Sequence, residues 1–244
     1  MKKVRKTLYT LALKGYAPEL IEVTFKLMRK WAEKIEAEFY VIEDRKFNLY
    51  PTYEKFQIYE LSKERDDDFI YFLDADTMVH PDMYDPMTII TKEWTCAAYS
   101  NDYTPMRFRP DEMFLRDARY QGKGSWCIFC SDWTRDIWQP LPQDITYEEA
   151  VANIFPVNHE VNSIKKTPES LIDDYLVSRN IAKYGLKHTT ISEIGESRKI
   201  PFTVNITQQG QLVGSPMLQH DYNRSLEGKI VWTEQLLNLW GVTL

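Results

Sequence analysis

The protein is 244 residues long, 43% hydrophobic and 27% charged, which allows one domain with a large core. Its net charge of −6 argues against a nucleic-acid partner, because such proteins need a basic surface. Three Cys cannot build a disulfide framework, which points to a reducing, cytoplasmic setting, and no run approaches the ~20 apolar residues of a membrane span.

Taken in order, the basic start Met1 to Lys6 is followed by an apolar stretch, Leu8 to Leu13, too short for a secretory leader. Thr7 to Leu13 reads as a first strand, and Pro18 sits where a helix can begin. Leu20, Thr24, Leu27, Met28, Trp31 and Ile35 share one face at helical spacing, predicting a helix over about 19–36. Glu38 to Ile42 reads as a second strand and Tyr53 to Lys63 as a second helix. Phe69 to Leu73 is then an unbroken apolar run, a strand buried on both faces, leading straight into Asp74, Ala75, Asp76 and Thr77. Strand, helix, strand, helix, strand is the pattern of a doubly wound sheet with parallel crossovers, whose ligands bind beyond the carboxyl ends of the strands. Alternation along a strand would point Asp74 and Asp76 the same way, about 6–7 Å apart. Two such carboxylates repel each other, and a hard divalent cation, magnesium or manganese, relieves that repulsion.

Beyond the pair, Thr95 to Ser100 reads as a strand and Asn101 to Gln121 as an irregular acceptor-side segment. Ser125 to Cys130 reads as a strand holding two buried thiols, Cys127 and Cys130, rather than a zinc site, because there is no second Cys pair. Trp133 to Trp138 reads as a short helix. A further helix begins at Leu171, with Ser170 as a possible cap, and ends at Gly185; Lys187 to Ile191 reads as the last strand. His80, His159 and His188 read as structural. The whole chain, 1–244, reads as a single domain, with a nucleotide-binding half over about 1–100 and a donor-sugar and acceptor half over about 101–244.

The run ending in Asp74-Ala75-Asp76-Thr77, on the third strand of an α/β start, resembles the metal-binding motif of glycosyltransferases with a GT-A fold, nearest to the glycogenin-like retaining branch. That resemblance implies a Rossmann-like, mostly parallel central sheet flanked by helices, a nucleotide-sugar donor, a UDP-sugar first, and a glycan or other hydroxyl as acceptor. It implies Asp74 and Asp76, with Ala75 between them and His220 as a third ligand, around Mn2+ or Mg2+. Lys55 matches a basic residue facing the donor. Ser125 and Trp126, after Gly124, match a small-residue motif beside the donor sugar, and Asp173 and Asp174 an acidic pair near its hydroxyls. Lys229 matches a diphosphate-binding Lys, although the gap from His220 to Gly228 is longer than the family's and no Pro precedes Trp232. The end of the first strand (Thr10, Leu11, Ala12, Leu13) with Tyr16, and Asp44 after the second, would hold base and ribose. Retention of configuration is favoured because no well-placed base stands out, although Asp102 or Asp111 could serve an inverting route.

Other readings compete. Asp-x-Asp-x-Thr after an apolar strand also resembles phosphohydrolases of the haloacid-dehalogenase type, with Asp74 as nucleophile and Asp76 as acid/base, but that family carries the motif on its first strand. A non-catalytic nucleotide-sugar-binding module is a third. Asp173 and Asp174 also suit a helix N-terminus for its dipole alone.

Overall fold

The computed structural model describes residues 3–97, 106–108, 124–141, 144–156, 167–198, 205–206, 212–213, 217–219 and 225–244. In chain order these form β1 (Lys6–Leu11), α1 (Pro18–Lys34), β2 (Glu38–Ile42), a 3-10 helix (Pro51–Gln57) that runs on as α2 (Ile58–Glu64), β3 (Phe69–Leu73), β4 (Thr77–Val79), β5 (Trp94–Ala97) and β6 (Met106–Phe108). After these come β7 (Cys127–Ser131), a 3-10 turn (Arg135–Trp138), α3 (Tyr147–Ala152), β8 (Ile154–Pro156), α4 (Ile172–Lys183), β9 (Lys187–Thr190) and α5 (Ile191–Arg198). The last elements are β10 (Asn205–Ile206), β11 (Leu212–Val213), β12 (Met217–Gln219) and α6 (Leu226–Trp240).

The central sheet has six strands in the order β2-β1-β3-β7-β5-β9. β1 pairs in parallel with β2 and β3, and β5 in parallel with β9. β7 runs antiparallel to both its neighbours, β3 and β5. Five strands therefore share a direction, and the sheet is mixed. The sequence of β7 carries no signal of direction, since an apolar run reads the same both ways.

Alternation along the strands sorts two cores. Ile70, Phe72, Ile128 and Cys130 face Phe56, Trp138, Tyr175 and Leu176, under the 3-10 helix and α4. Tyr71, Leu73, Cys127 and Phe129 face Leu27, Met28, Trp31 and Leu236, under α1 and α6. Both thiols are buried and free, one in each core, as the strand reading expects. The helical stripe read for α1 is the stripe it buries. Among the described residues no helix is long and apolar enough to cross a membrane.

Several boundaries differ from the sequence reading. The predicted second helix opens as a 3-10 turn behind Pro51, and the predicted last strand stops at Thr190, where α5 begins. Thr190 and Glu193 bond reciprocally there, Glu193 N donating to Thr190 Oγ1 at 3.1 Å and Thr190 N to Glu193 Oε2 at 2.8 Å. That is a capping box. Ser170 does not cap α4; its hydroxyl donates to the Thr167 carbonyl at 2.7 Å, in a 3-10 turn that precedes the helix. Most of the irregular segment read at 101–121, with Asp102 and Asp111, lies outside the described residues, and so do His159 and His220.

Candidate active site

β1, β2 and β3 end together because they are parallel, and the chain must turn away at that edge. Leu13 accepts a bond from Tyr16 N at 3.0 Å, and Ala12 N donates to the Ile42 carbonyl at 3.0 Å. Thr10 and Ala12 are buried at this edge, Leu11 packs against the core, and the Thr10 hydroxyl has no hydrogen-bond partner among the described residues. Asp44 follows β2 with its side chain exposed.

The acidic pair is not part of a strand. β3 stops at Leu73, and Thr77 N bonds the Asp74 carbonyl at 2.9 Å, so Asp74 and Asp76 occupy the first and third corners of a tight turn. Two bonds hold that turn from either side. Asp74 N donates to the Trp126 carbonyl at 2.8 Å, and Thr24 Oγ1 on α1 donates to the Ala75 carbonyl at 2.6 Å. Trp126 thus meets the site through its main chain, while its indole packs with the Leu8 and Met217 core. Thr24→Val keeps the shape but leaves the buried Ala75 carbonyl short of that donor; it should cost about 1–2 kcal/mol in chemical denaturation.

Around the turn the predicted residues converge from distant parts of the chain. Lys55, on the 3-10 helix, places its Nζ 2.8 Å from Asp74 Oδ1, 2.6 Å from Asp173 Oδ2 and 3.1 Å from Ser125 Oγ. Ser125 Oγ donates to Asp173 Oδ2 at 2.6 Å, and Ser125 N to Asp174 Oδ1 at 2.7 Å. On the far side, Lys229 Nζ lies 3.2 Å from Asp76 Oδ2. Tyr16, 42% exposed overall, turns its hydroxyl onto Asp76. Asp173 and Asp174 do stand in the first turn of α4, but both are buried and bonded across to the strand edge, which a purely dipolar role would not require.

Charge settles the protonation states. Burial opposes the Lys55 ammonium, yet Asp173 and Asp74 outweigh it and hold it protonated well above its ordinary range. Burial would raise Asp173 too, but Lys55 and the Ser125 hydroxyl prevail and keep it below the usual carboxylate range. Asp74 goes the other way. Burial, with Asp76 beside it, pushes its carboxyl up despite Lys55. Asp173 Oδ1 is buried without a hydrogen-bond partner among the described residues.

Among the described residues no group of three or more His, Cys, Asp or Glu is gathered as a ready metal cage. Asp74 and Asp76 nonetheless form an all-oxygen donor pair at the sheet edge, with two ammoniums as their present counter-ions. A carboxyl raised by burial and by a second carboxylate beside it, as Asp74 is, is what a hard dication returns to its ionised form, so the pair fits magnesium or manganese. The sequence reading missed Glu54, Gln57 and Thr24, which hold the surroundings of this site in place. Thr24 was read only as part of a helix stripe, and Glu54 and Gln57 looked like ordinary helix residues.

No family model matches the chain, and no curated protein does. Solved structures do. The galactosyltransferase LgtC, in complex with donor and acceptor sugar analogues, aligns with a TM-score of 0.52 at 12% identity, over 98% of this chain and 97% of that one. A glycosyltransferase involved in the glycosylation of the major capsid of PBCV-1 aligns with a TM-score of 0.51 at 9% identity, over 95% and 99%. The fold is the GT-A fold. At such identities the likeness speaks for architecture, and the chemistry rests on the side chains described above.

Proposed function

We propose that the chain is a single-domain glycosyltransferase that moves a sugar from a nucleotide-sugar donor, a UDP-sugar first, to a hydroxyl of a glycan or similar acceptor. The observation that carries this is the Lys55 ammonium buried between Asp74 and Asp173 at the carboxyl edge of a GT-A sheet. Breaking the bond between sugar and diphosphate leaves new negative charge on the phosphates, and fixed positive charge at that point is the largest help a protein can give. Lys55 and Lys229 supply it from two sides. Asp74 and Asp76, with His220 as a further candidate, would hold Mn2+ or Mg2+, which when bound neutralises the diphosphate.

Asp173 stays anionic and offers a buried acceptor oxygen, suited to a sugar hydroxyl entering the pocket. Asp174 holds the Ser125 end of β7 in register with it. Thr10, Leu11, Ala12, Leu13 and Tyr16, at and after the end of β1, and Asp44 after β2 would hold the nucleoside. Retention of configuration, in which the leaving phosphate stays beside the reacting carbon, is the course we favour, because no well-placed general base stands out in the sequence.

Thermal shift with nucleotides and nucleotide sugars, with and without manganese, tests this. A ligand at about a hundredfold excess over its Kd stabilises by roughly 2.7 kcal/mol. A manganese-dependent shift with UDP or a UDP-sugar supports the reading, and none with any nucleotide contradicts it. Because burial raises the Asp74 carboxyl, manganese binding should strengthen with rising pH, reaching half its plateau above the ordinary carboxylate value near 4. Titration calorimetry across pH 5–8 checks the sign; weaker binding at higher pH would contradict it.

A further inference from the structure

Glu54 is a buried carboxylate to which no part of the proposed chemistry assigns a task. It is fully buried on the same 3-10 helix as Lys55, one residue before it. Its oxygens accept from Lys46 N at 2.7 Å, from Phe47 N at 3.1 and 3.2 Å, and from Gln57 Nε2 at 2.8 Å. The Gln57 amide also donates to the Asp44 carbonyl at 2.8 Å. Arg45 adds an ion pair, its Nε 3.7 Å from Glu54 Oε1. Two side chains on one turn of helix therefore hold the main chain of 44–47.

The segment they hold would otherwise be loose. It follows β2 without regular structure, its next residue Asn48 has φ +54°, and the Phe47 ring rests on Tyr53, centroids 5.0 Å apart. A carboxylate that collects two successive backbone N–H groups fixes their orientation, and such charge-assisted bonds are the strong ones. Consecutive residues of one helix thus reach two places. Glu54 reaches the segment after β2, and Lys55 reaches the Asp74 and Asp173 carboxylates.

We infer that Glu54, assisted by Gln57, is a positioning residue for donor binding: it sets the 44–47 segment to receive the nucleoside and ties that segment rigidly to the charge cluster where the sugar bond breaks. This rests on the nucleotide-sugar reading above. Because the segment touches the part of the donor that does not react, its binding energy is the same in ground and transition states, so its loss raises KM and spares kcat.

The test is Glu54→Gln, which keeps the size but turns one acceptor into a donor that faces an N–H. Donor KM, and Kd for nucleoside diphosphates (a panel of UDP, GDP, CDP and ADP), should rise about tenfold, kcat at saturating donor should stay within about twofold, and amide exchange at 46 and 47 should accelerate. Gln57→Ala should move the same quantities in the same direction by less, and it stands in if Glu54→Gln does not fold. Unchanged KM and Kd, or kcat falling together with Tm and KM, overturns the positioning role. If the wild-type chain binds none of the four nucleotides, the donor reading itself fails, an outcome distinct from equal binding by wild type and variant.

Discussion

Lys55→Met is expected to lower the stability of the fold by about 3–5 kcal/mol and to remove measurable turnover. Removing one partner of a buried ion pair costs far more than the pair's net contribution, because the other charge is left without compensation. Here two charges are left, Asp74 and Asp173, around a side chain only 4% exposed. The loss should depend on pH in a definite direction. In the wild type, Asp173 is depressed by Lys55, so its contribution is present above the unfolded carboxylate value near 4 and is lost as pH falls through its folded value. In the variant both carboxylates lie buried beside each other with raised values, and the folded state takes up protons that the unfolded state has released. Stability of the variant therefore rises as pH falls toward 4, and the deficit measured by urea at pH 8 should exceed that at pH 5. A deficit under 1 kcal/mol at both values would mean that the ammonium is not the counter-charge of this cluster.

Asp76→Asn should behave in the opposite way, with little effect on the fold and a large one on activity. Asp76 sits on a turn held by bonds that do not use its carboxylate: Thr77 N to Asp74 O, Asp74 N to Trp126 O, and Thr24 to Ala75 O. Its carboxylate engages Lys229 and the Tyr16 hydroxyl, both of which can accommodate an amide oxygen. Stability should stay within about 1 kcal/mol. The variant has lost one of two anionic ligands for a hard cation, so manganese-dependent nucleotide binding and turnover should fall by at least about a hundredfold, and calorimetry with and without manganese separates the two losses. Turnover close to wild type would remove Asp76 from the metal assignment.

Much of this was legible before any coordinates. The helical stripe from Leu20 to Trp31, the strand Glu38–Ile42 and the apolar run into Asp74 follow from period and burial, which local sequence carries. Lys55, Ser125, Asp173 and Asp174 were singled out by likeness to a family, and the fold brings all four within hydrogen-bond reach of one another or of Asp74. What was not legible depends on long-range pairing. The antiparallel course of β7 is set by how the chain returns to the sheet. The turn at 74–77 is fixed by Trp126 and Thr24, 50 or so residues away on either side. Glu54 looked like one more charged helix residue, because nothing local reveals that Lys46 N and Phe47 N will point at it. The box of Thr190 and Glu193 is a local sequence signal for the helix start that ends the last strand at Thr190, one residue short of the predicted end at Ile191.

The measurement that bears most directly on the account is release of nucleoside diphosphate from a panel of nucleotide sugars, by the wild-type chain and by Asp76→Asn, with and without manganese. Manganese-dependent release from one donor, lost in the variant, is the result the account predicts. No release from any nucleotide sugar, together with hydrolysis of p-nitrophenyl phosphate that vanishes in Asp74→Asn, would contradict it and make Asp74 the nucleophile of a phosphohydrolase.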